Sequence, residues 1–574
     1  MSPAAGAPSA RRSSALVGAG ILCSRLAGLV RERVIAGQFA TGFAVDAFRA
    51  ALRIPNLLQN LLGEGVLSAS FIPVYARLLA EGDEEEAGRL AGAVAGLLAA
   101  AAAVLIVVGV VFARPITALL AAGYTGERFE LTVTLVRILT PSIGVLVLSA
   151  WCLGVLNSHR RFFLSYVAPV LWNVAQIAVL VAAASRGLGQ ASLAVALAWG
   201  AVAGSLLQLG VQLPAVRRLV RPLRLSLTTR RPSVRTVLAR FGPAVAGRGV
   251  VQLSAYLDLL LASFLATGAV AALGYAQVLY LLPVSLFAMS VAAAELPELS
   301  RLGDAAGTDP GSASPAAVTT GIPGPARRVE EGLARVAFFV VPTGAAYLVL
   351  GDLVVATVLQ TGRFGADDTR LVWYVLAGLT LGLVATAAGR VLQSGLYALG
   401  DSRSPAVVAA VRVALTVVLG VVLMLQLDRV AVAGPGLAGL DQVGNLPAWS
   451  PVPVGLRDGS QPGAALRLGA LGLALASAAG ATLELILLRR RLAARVGPVR
   501  LGGGRAGPVA AAGLAAAVIA ALARPLVASW PAPLALLGAG LPAAAVYGGL
   551  ALRLGVPEAG HLLGAVRRRL PGRH

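Results

Sequence analysis

LAGAVAGLLAAAAAVLIVVGVVFA, residues 90–113, contains no charged side chain and exceeds the roughly 20 apolar residues that cross a bilayer as a helix. Similar stretches recur along the chain. Hydrophobic residues make up 57% of the 574 residues, and charged residues only 13%, against about 25% in soluble domains. The mean hydropathy is +0.81. This composition predicts an all-α membrane protein.

The same length criterion, applied to the whole sequence, predicts about fourteen transmembrane helices. Their approximate bounds are 14–39, 42–78, 90–113, 130–156, 162–184, 191–214, 238–266, 269–297, 333–360, 370–398, 405–427, 464–488, 507–528 and 532–553. The first segment is expected to be a retained helix, because Arg25 and Arg31 interrupt the apolar run that a signal peptide requires.

The formal net charge of +22 comes entirely from arginine, since all 48 basic residues are of this type. Nucleic-acid-binding proteins place such charge on a solvated face of a polar domain, which this chain lacks. The arginines instead occupy alternate loops. The positive-inside rule assigns roughly 30 of them to the cytoplasmic side, about 9 to the other side and about 9 to the membrane. Both termini are therefore predicted to be cytoplasmic.

A weak internal repeat predicts two six-helix lobes. Residues 39–42 read FATG and residues 264–268 read FLATG, which aligns Glu32 with Asp258. Six helices return the chain to its starting side, so the lobes are expected to be related by a pseudo-two-fold axis along the membrane normal. The predicted parts are an N-lobe at 1–216, a basic linker at 217–237, a C-lobe at 238–490, helices 13 and 14 at 506–553, and a basic tail at 554–574. Residues 302–326 are predicted to be a flexible cytoplasmic loop and residues 430–463 an external one.

The first two predicted helices carry charged side chains at helical spacing. Arg25 and Glu32 are seven residues apart, and Asp46 and Arg53 are likewise seven apart. An arginine at the bilayer centre costs roughly 2.5–3.5 kcal/mol, so the cluster indicates a water-filled cavity, although a single arginine can also snorkel to the headgroups. The excess of positive charge favours an anionic ligand such as a diphosphate. The candidate substrate-binding residues are Ser24, Arg25, Arg31, Glu32, Asp46, Arg49, Arg53 and Arg248.

Few other residues of the sequence indicate a binding or catalytic role. The isolated charges in apolar surroundings are Arg137, Arg248, Arg390 and Arg412. Asp258 and Asp401 are candidates for a coupling-ion site. Asp401 equally fits a turn or helix cap. Two cysteines and three scattered histidines exclude a disulfide framework and a metal cluster. No nucleophile-and-base pair or nucleotide loop is present, so the sequence predicts a transporter without covalent chemistry, driven by Na+ or by the membrane potential.

The N-terminal motifs SRLAGLVRE (24–32), DAF (46–48), RIPNL (53–57), GEG (63–65) and SASFIPV (68–74) resemble the MurJ (MviN) family of lipid II flippases, within the multidrug, oligosaccharidyl-lipid and polysaccharide exporter superfamily. The resemblance implies movement of the undecaprenyl-diphosphate-linked peptidoglycan precursor to the outer leaflet of the bacterial inner membrane by alternating access. It also implies a lipid-tail groove at helices 13 and 14. Membrane lipids and the cell-wall synthesis machinery are the partners that it suggests.

The chain departs from the family pattern at several charged positions. Gln59 and Asn60 replace two arginines, and Gln277, Val278 and Leu281 replace an aspartate, an arginine and a glutamate of helix 8. Arg248 is a candidate replacement for the lost cation. Two other functions therefore remain open: transport of another polyprenyl-linked glycan, or a scaffold for envelope assembly that no longer transports. Export of cationic drugs fits less well, because the cluster has an excess of arginine.

Overall fold

The computed structural model describes residues 7–220, 223–289, 291, 325–401, 403–433, 436–439, 450–457 and 466–567. The described part is almost entirely helical, which confirms the predicted all-α membrane class. It contains eleven helices long and apolar enough to cross a membrane, or twelve if one bent pair is a single span. The exact count of fourteen is not confirmed. Two further long helices, Ala7–Phe39 and Pro232–Ser263, cover the first and seventh predicted spans but are not among those eleven or twelve.

The chain divides into two compact units. Unit 1 comprises Met1–Ala271, Thr361–Gly365 and Pro453–Ala464, and unit 2 comprises Ala272–Gln360, Ala366–Val452 and Ala465–His574. The eleventh helix, Pro232–Ser263, packs within unit 1. The lobe boundaries given above stay a prediction.

Unit 1 contains α1 to α11, the first residues of α12, and a short helix near residue 455. The bounds are α1 Ala7–Phe39, α2 Phe43–Leu62, α3 Glu64–Ser70, α4 Ile72–Ala80, α5 Glu84–Val111, α6 Ala113–Leu120, α7 Gly126–Leu139, α8 Pro141–Ser158, α9 Phe162–Ala184, α10 Gln190–Leu219, α11 Pro232–Ser263 and α12 Ala269–Pro283. One core cluster of unit 1 lies among α3, α4, α5, α8, α10 and α11, and includes Phe71, Tyr75, Leu90, Ile143 and Trp151.

Two of the spans predicted as continuous are interrupted in unit 1. The second is divided at Gly63 and again at Phe71, which gives α2, α3 and α4. The fourth is divided at Thr140, because Pro141 has no amide hydrogen to continue the hydrogen-bond pattern of α7 and instead begins α8. The fourth span also begins earlier than predicted, since α7 starts at residue 126.

Unit 2 contains the rest of α12, a π-helical turn at Val284–Ala288 and the later helices. These are α13 Pro325–Leu359, α14 Ala366–Thr380, α15 Leu383–Ala398, α16 Arg403–Leu427, α17 Val454–Arg457 (in unit 1), α18 Gly469–Val496, α19 Ala506–Ala523, α20 Ala532–Arg553 and α21 Pro557–Arg567. Short 3-10 turns at Leu501–Gly504 and Arg524–Val527 flank α19. Helices α14 and α15 form the bent pair, with an angle of 44° between them.

The predicted external loop 430–463 is partly ordered as a β-hairpin. Strands β1 Val430–Ala433 and β2 Gly436–Gly439 pair in antiparallel register, with Val430 opposite Gly439. This hairpin is a small exception to the all-α prediction, and it arises where alternating valine and alanine residues favour an extended chain. Most of the predicted flexible loop 302–326 lies outside the described residues.

Candidate substrate-binding site

Glu32 joins the charged faces of α1 and α2. Its two carboxylate oxygens accept hydrogen bonds from Nη2 of Arg31 at 2.7 Å and Nη2 of Arg49 at 2.6 Å. The Glu32 side chain is 5% exposed, and both arginine side chains are 16% exposed. The Arg31 guanidinium also lies 4.9 Å from the ring centroid of Trp172 on α9. The structure therefore brings together three of the predicted site residues.

The remaining predicted cations of α1 and α2 lie in the same unit. Arg53 interacts electrostatically with Asp258 of α11. Ser24 and Arg25 are half-buried on α1, and within the described part of the chain Arg25 forms no ion pair. Four arginines and two carboxylates (Arg25, Arg31, Arg49 and Arg53 against Glu32 and Asp258) leave a formal charge of +2. The side chain of Arg248 lies outside the described residues.

Asp46 occupies a different environment from the other predicted site residues. Its side chain is fully buried and forms an ion pair of 2.7 Å with Arg128 of α7, whose side chain is 5% exposed. Its carboxylate also accepts hydrogen bonds from the backbone N–H groups of Gly268 at 2.8 Å and Ala271 at 2.6 Å, at the start of α12. A carboxylate at a helix N-terminus satisfies amides that have no partner inside the helix. Asp46 thus anchors α12 to α2 within unit 1.

Arg128 is the residue that the sequence analysis missed. Its guanidinium lies 3.7 Å from the ring centroid of Tyr124, in addition to its ion pair with Asp46. The predicted fourth span began at residue 130, which placed Arg128 in a loop. An arginine beside an aromatic residue just before an apolar segment was the available signal.

The two repeated Ala-Thr-Gly turns lie against each other. Gly268 has a φ of +93°, and a Cβ atom at this position would lie 2.6 Å from the carbonyl oxygen of Thr41. Glycine is the residue that tolerates both the positive φ and the close approach. The weak sequence repeat therefore corresponds to a pair of turns that meet at the ends of α1 and α11.

Unit 2 contains a second polar cluster. The Glu484 carboxylate of α18 accepts hydrogen bonds from Nη1 of Arg412 at 2.6 Å and Nε2 of Gln393 at 2.7 Å. The hydroxyl of Tyr280 on α12 donates to Oγ1 of Thr386 on α15 at 2.7 Å. Arg412, which the sequence showed as an isolated charge, is therefore neutralised by a carboxylate 72 positions further along the chain.

Asp401 lies at the start of α16 and accepts hydrogen bonds from the backbone N–H of Ser404 at 2.9 Å and from its hydroxyl at 2.8 Å. These hydrogen bonds lower the pKa of the Asp401 carboxyl. This is the geometry of a helix cap. No group of three or more metal-ligating side chains occurs in the described ranges. The coupling-ion role of Asp258 and Asp401 stays a prediction.

The residues that depart from the family pattern are not part of either charged cluster. Gln59 and Gln277 are half-buried, as is Val278, and Asn60 is exposed. The backbone carbonyl of Gln59 accepts a hydrogen bond from Gly63, where α2 ends.

An apolar cavity of about 380 Å³ lies among α13, α19 and α20 of unit 2. Phe338 and Phe339 of α13 line one side, and Tyr547 of α20 lines another. The Tyr547 hydroxyl donates to the Phe338 carbonyl at 2.6 Å, so the polar end of this ring is satisfied inside the packing. The lipid-tail groove at helices 13 and 14 stays a prediction.

The family model described as "Lipid II flippase MurJ" matches residues 35–440. A lipid II flippase MurJ of Burkholderia cenocepacia is 34% identical over 417 residues, covering 71% of this chain and 75% of the relative. A probable lipid II flippase MurJ of Rhizobium meliloti is 31% identical over 423 residues, covering 73% and 76%.

Solved structures show the same fold. A lipid II flippase MurJ in an inward closed conformation superposes with a TM-score of 0.71 at 19% identity, covering 94% of this chain and 99% of that one. An inward-facing multidrug transporter of the MATE family gives a TM-score of 0.57 at 16% identity, covering 82% and 95%. The two-lobe transporter fold is thereby confirmed. With its many apolar helices and these matches over most of its length, the chain is a multi-pass membrane protein that belongs to the MurJ lipid II flippase family.

Proposed function

We propose that the protein moves lipid II, the undecaprenyl-diphosphate-linked peptidoglycan precursor, from the inner to the outer leaflet of the bacterial cytoplasmic membrane. The observation that carries this proposal is the arginine cluster of α1 and α2, in which Glu32 is shared by Arg31 and Arg49 and leaves an excess of positive charge. Guanidinium groups bind phosphate oxygens through paired, charge-assisted hydrogen bonds. The buried Nε of Arg31 accordingly has no acceptor among the described residues.

The apolar cavity of unit 2 supports the same substrate class. Aromatic and small side chains line it, and its volume of about 380 Å³ suits a segment of an isoprenoid chain. The arginine cluster of unit 1 and the apolar cavity of unit 2 each, taken alone, favour one part of a lipid-linked anion. Family membership favours lipid II among such substrates.

Energy for transport would come from the membrane potential or from a Na+ gradient, without covalent chemistry. Moving one charge across the membrane is worth about 2.3 kcal/mol per 100 mV, and a potential that is negative inside favours outward movement of an anion. We place both termini in the cytoplasm, because the arginine-rich loops then lie on the inside. Enzymes of cell-wall synthesis are the expected partners.

Complementation of a strain depleted of its own lipid II flippase tests the function. The wild-type chain should restore growth, and Arg31→Gln should abolish this rescue. Loss of a charge-assisted contact to phosphate costs roughly 1.5–3 kcal/mol, which weakens binding about 10-fold to 100-fold. Arg77→Gln is the matched control, because Arg77 is 62% exposed and pairs only with its helical neighbour Glu81.

The result also separates the alternative functions. Normal membrane levels without rescue by the wild-type chain would contradict lipid II transport. Binding of purified protein to another undecaprenyl-diphosphate-linked glycan would then indicate a different substrate, and absence of all such binding would indicate a scaffold.

A further inference from the structure

The exposed face of α15 in unit 2 is polar. Thr386, Arg390, Gln393 and Tyr397 lie within an arc of about 60° at 100° per residue. Arg390 and Tyr397 are exposed. On the opposite side of the helix Ala388, Val391 and Gly395 are buried, and the apolar Val384 near its start is exposed.

The neighbouring helix α16 shows what a lipid-facing surface looks like in this unit. Its exposed side chains include Val407, Val411 and Val418, the last 62% exposed. Arg390 lies eight residues before the end of α15, which corresponds to about 12 Å along the helix axis. A charged residue at that depth requires water or a partner rather than hydrocarbon. The polar face of α15 therefore borders water.

The charges around Arg390 do not cancel. Glu484 is already shared by Arg412 and Gln393, at 2.6 and 2.7 Å. In the described part of the chain Arg390 forms no ion pair. Arg390, Arg412 and Glu484 together carry a formal charge of +1. The Arg390 guanidinium also interacts electrostatically with the hydroxyls of Tyr280 and Tyr397. The Tyr280 hydroxyl already donates to Thr386, whereas the Tyr397 hydroxyl lies on the exposed face of α15.

The backbone next to this cluster is irregular as well. Helix α12, which supplies Tyr280, passes into the π-helical turn Val284–Ala288 four residues later. Such turns inside helices occur frequently at functional sites. A cation and a tyrosine hydroxyl thus share the exposed face of α15, and an irregular helix packs beside it.

We propose that Arg390, with Tyr397 two helical turns further along α15, is the anion-binding position of unit 2 and binds phosphate oxygens of the lipid-linked diphosphate. This inference rests on the proposed function for the identity of the anion. It makes Arg390 of α15 the replacement for the arginine that is missing from helix 8, a role for which the sequence analysis suggested Arg248.

Cysteine labelling tests the water-facing surface independently of any substrate. In a Cys23→Ser background, Arg390→Cys, Tyr397→Cys and Val418→Cys are reconstituted into liposomes and treated with a charged methanethiosulfonate, which reacts with thiolates in water. Labelling at 390 and 397 should be at least about tenfold faster than at 418. Residue 418 is exposed on an apolar face, where a charged reagent and a thiolate are both disfavoured. Equal, slow labelling at all three positions would overturn the inference.

Binding measurements test the ligand. Undecaprenyl diphosphate, undecaprenyl monophosphate and phosphatidylglycerol are titrated by native mass spectrometry against the wild type, Arg390→Gln, Arg390→Lys and Arg403→Gln. The diphosphate Kd should rise at least about tenfold in Arg390→Gln and stay within about threefold in Arg390→Lys. It should not change in Arg403→Gln, since Arg403 is the first residue of α16 and lies outside the polar face of α15.

Three outcomes would overturn the assignment, and they are distinguishable. Unchanged diphosphate binding in Arg390→Gln, with a wild type that binds, refutes the role of Arg390 and leaves the proposed function intact. An equal loss of phosphatidylglycerol binding shows that the site takes phospholipid headgroups instead. A wild type that binds no diphosphate refutes the proposed function, and the assignment fails with it.

Discussion

Replacing Asp46 by asparagine should destabilise unit 1 more than any change of an exposed charge in it. The Asp46 side chain is fully buried, and its carboxylate accepts one hydrogen bond from Arg128 and two from the start of α12. An asparagine side chain offers a single oxygen for these three donors and removes the negative charge that faces the buried Arg128 guanidinium. Breaking a buried ion pair in this way costs roughly 3–5 kcal/mol.

The free energy of unfolding in bicelles, measured by steric trapping, provides the assay. Glu130→Gln is the matched control, because Glu130 also lies on α7 and its ion pair with Arg114 is 58–61% exposed. An exposed pair contributes about 0–1 kcal/mol. Hydrogen exchange at the amides of Gly268 and Ala271 should accelerate in Asp46→Asn and remain unchanged in the control.

A double variant tests the assigned cause. Asp46→Asn combined with Arg128→Met removes both charges. The double variant should therefore lose less free energy of unfolding than the sum of the losses in the two single variants. If Asp46→Asn loses no more stability than Glu130→Gln, or if the two single effects are additive, the ion pair does not stabilise the fold as argued.

Two further changes test the packing of unit 2 and a half-buried histidine at the end of α8. Gly472→Val should destabilise unit 2 by roughly 1–3 kcal/mol, because a Cβ atom at Gly472 would lie 2.5 Å from the backbone carbon of Leu423 on α16; a thermal midpoint equal to that of the wild type would contradict this. His159 has a pKa lowered chiefly by burial, and its Nε2 lies 2.9 Å from the Tyr75 hydroxyl. Folding therefore favours the neutral imidazole, and the free energy of unfolding should decrease as the pH falls below about 6.5, the ordinary value. His159→Gln should reduce this dependence, and an unchanged pH profile would refute it.

The hydrophobic spans were predictable because a helix in lipid must satisfy its own backbone, so each span leaves a long apolar signature. The breaks within spans were less visible. Gly63 and Pro141 are ordinary signals of a helix boundary, yet apolar residues continue on both sides of each and a length criterion merges the pieces. The local density of apolar residues thus predicts which residues are in the membrane better than it predicts the residue at which a helix ends.

The spacing of charged residues predicted contacts between the neighbouring helices α1 and α2. It did not predict ion pairs between residues far apart in the sequence. Seven-residue spacing predicted that the charges of α1 and α2 form stripes, and Glu32 does join Arg31 to Arg49. The same spacing grouped Asp46 with Arg53, but Asp46 pairs with Arg128, 82 residues away. That pairing depends on the packing of α7 against α2, which no periodicity encodes.

The charged groups of the two units therefore fall into two classes. The first consists of ion pairs that stabilise the fold, and the second of arginines that form no ion pair. Asp46 and Arg128 are both buried and neutralise each other, and Arg412 is neutralised by Glu484. Arg25 and Arg390 lie on helices that carry polar faces, and among the described residues neither forms an ion pair. Because an unpaired arginine within a membrane helix is costly, a bound anion is one source of compensation for Arg25 and Arg390.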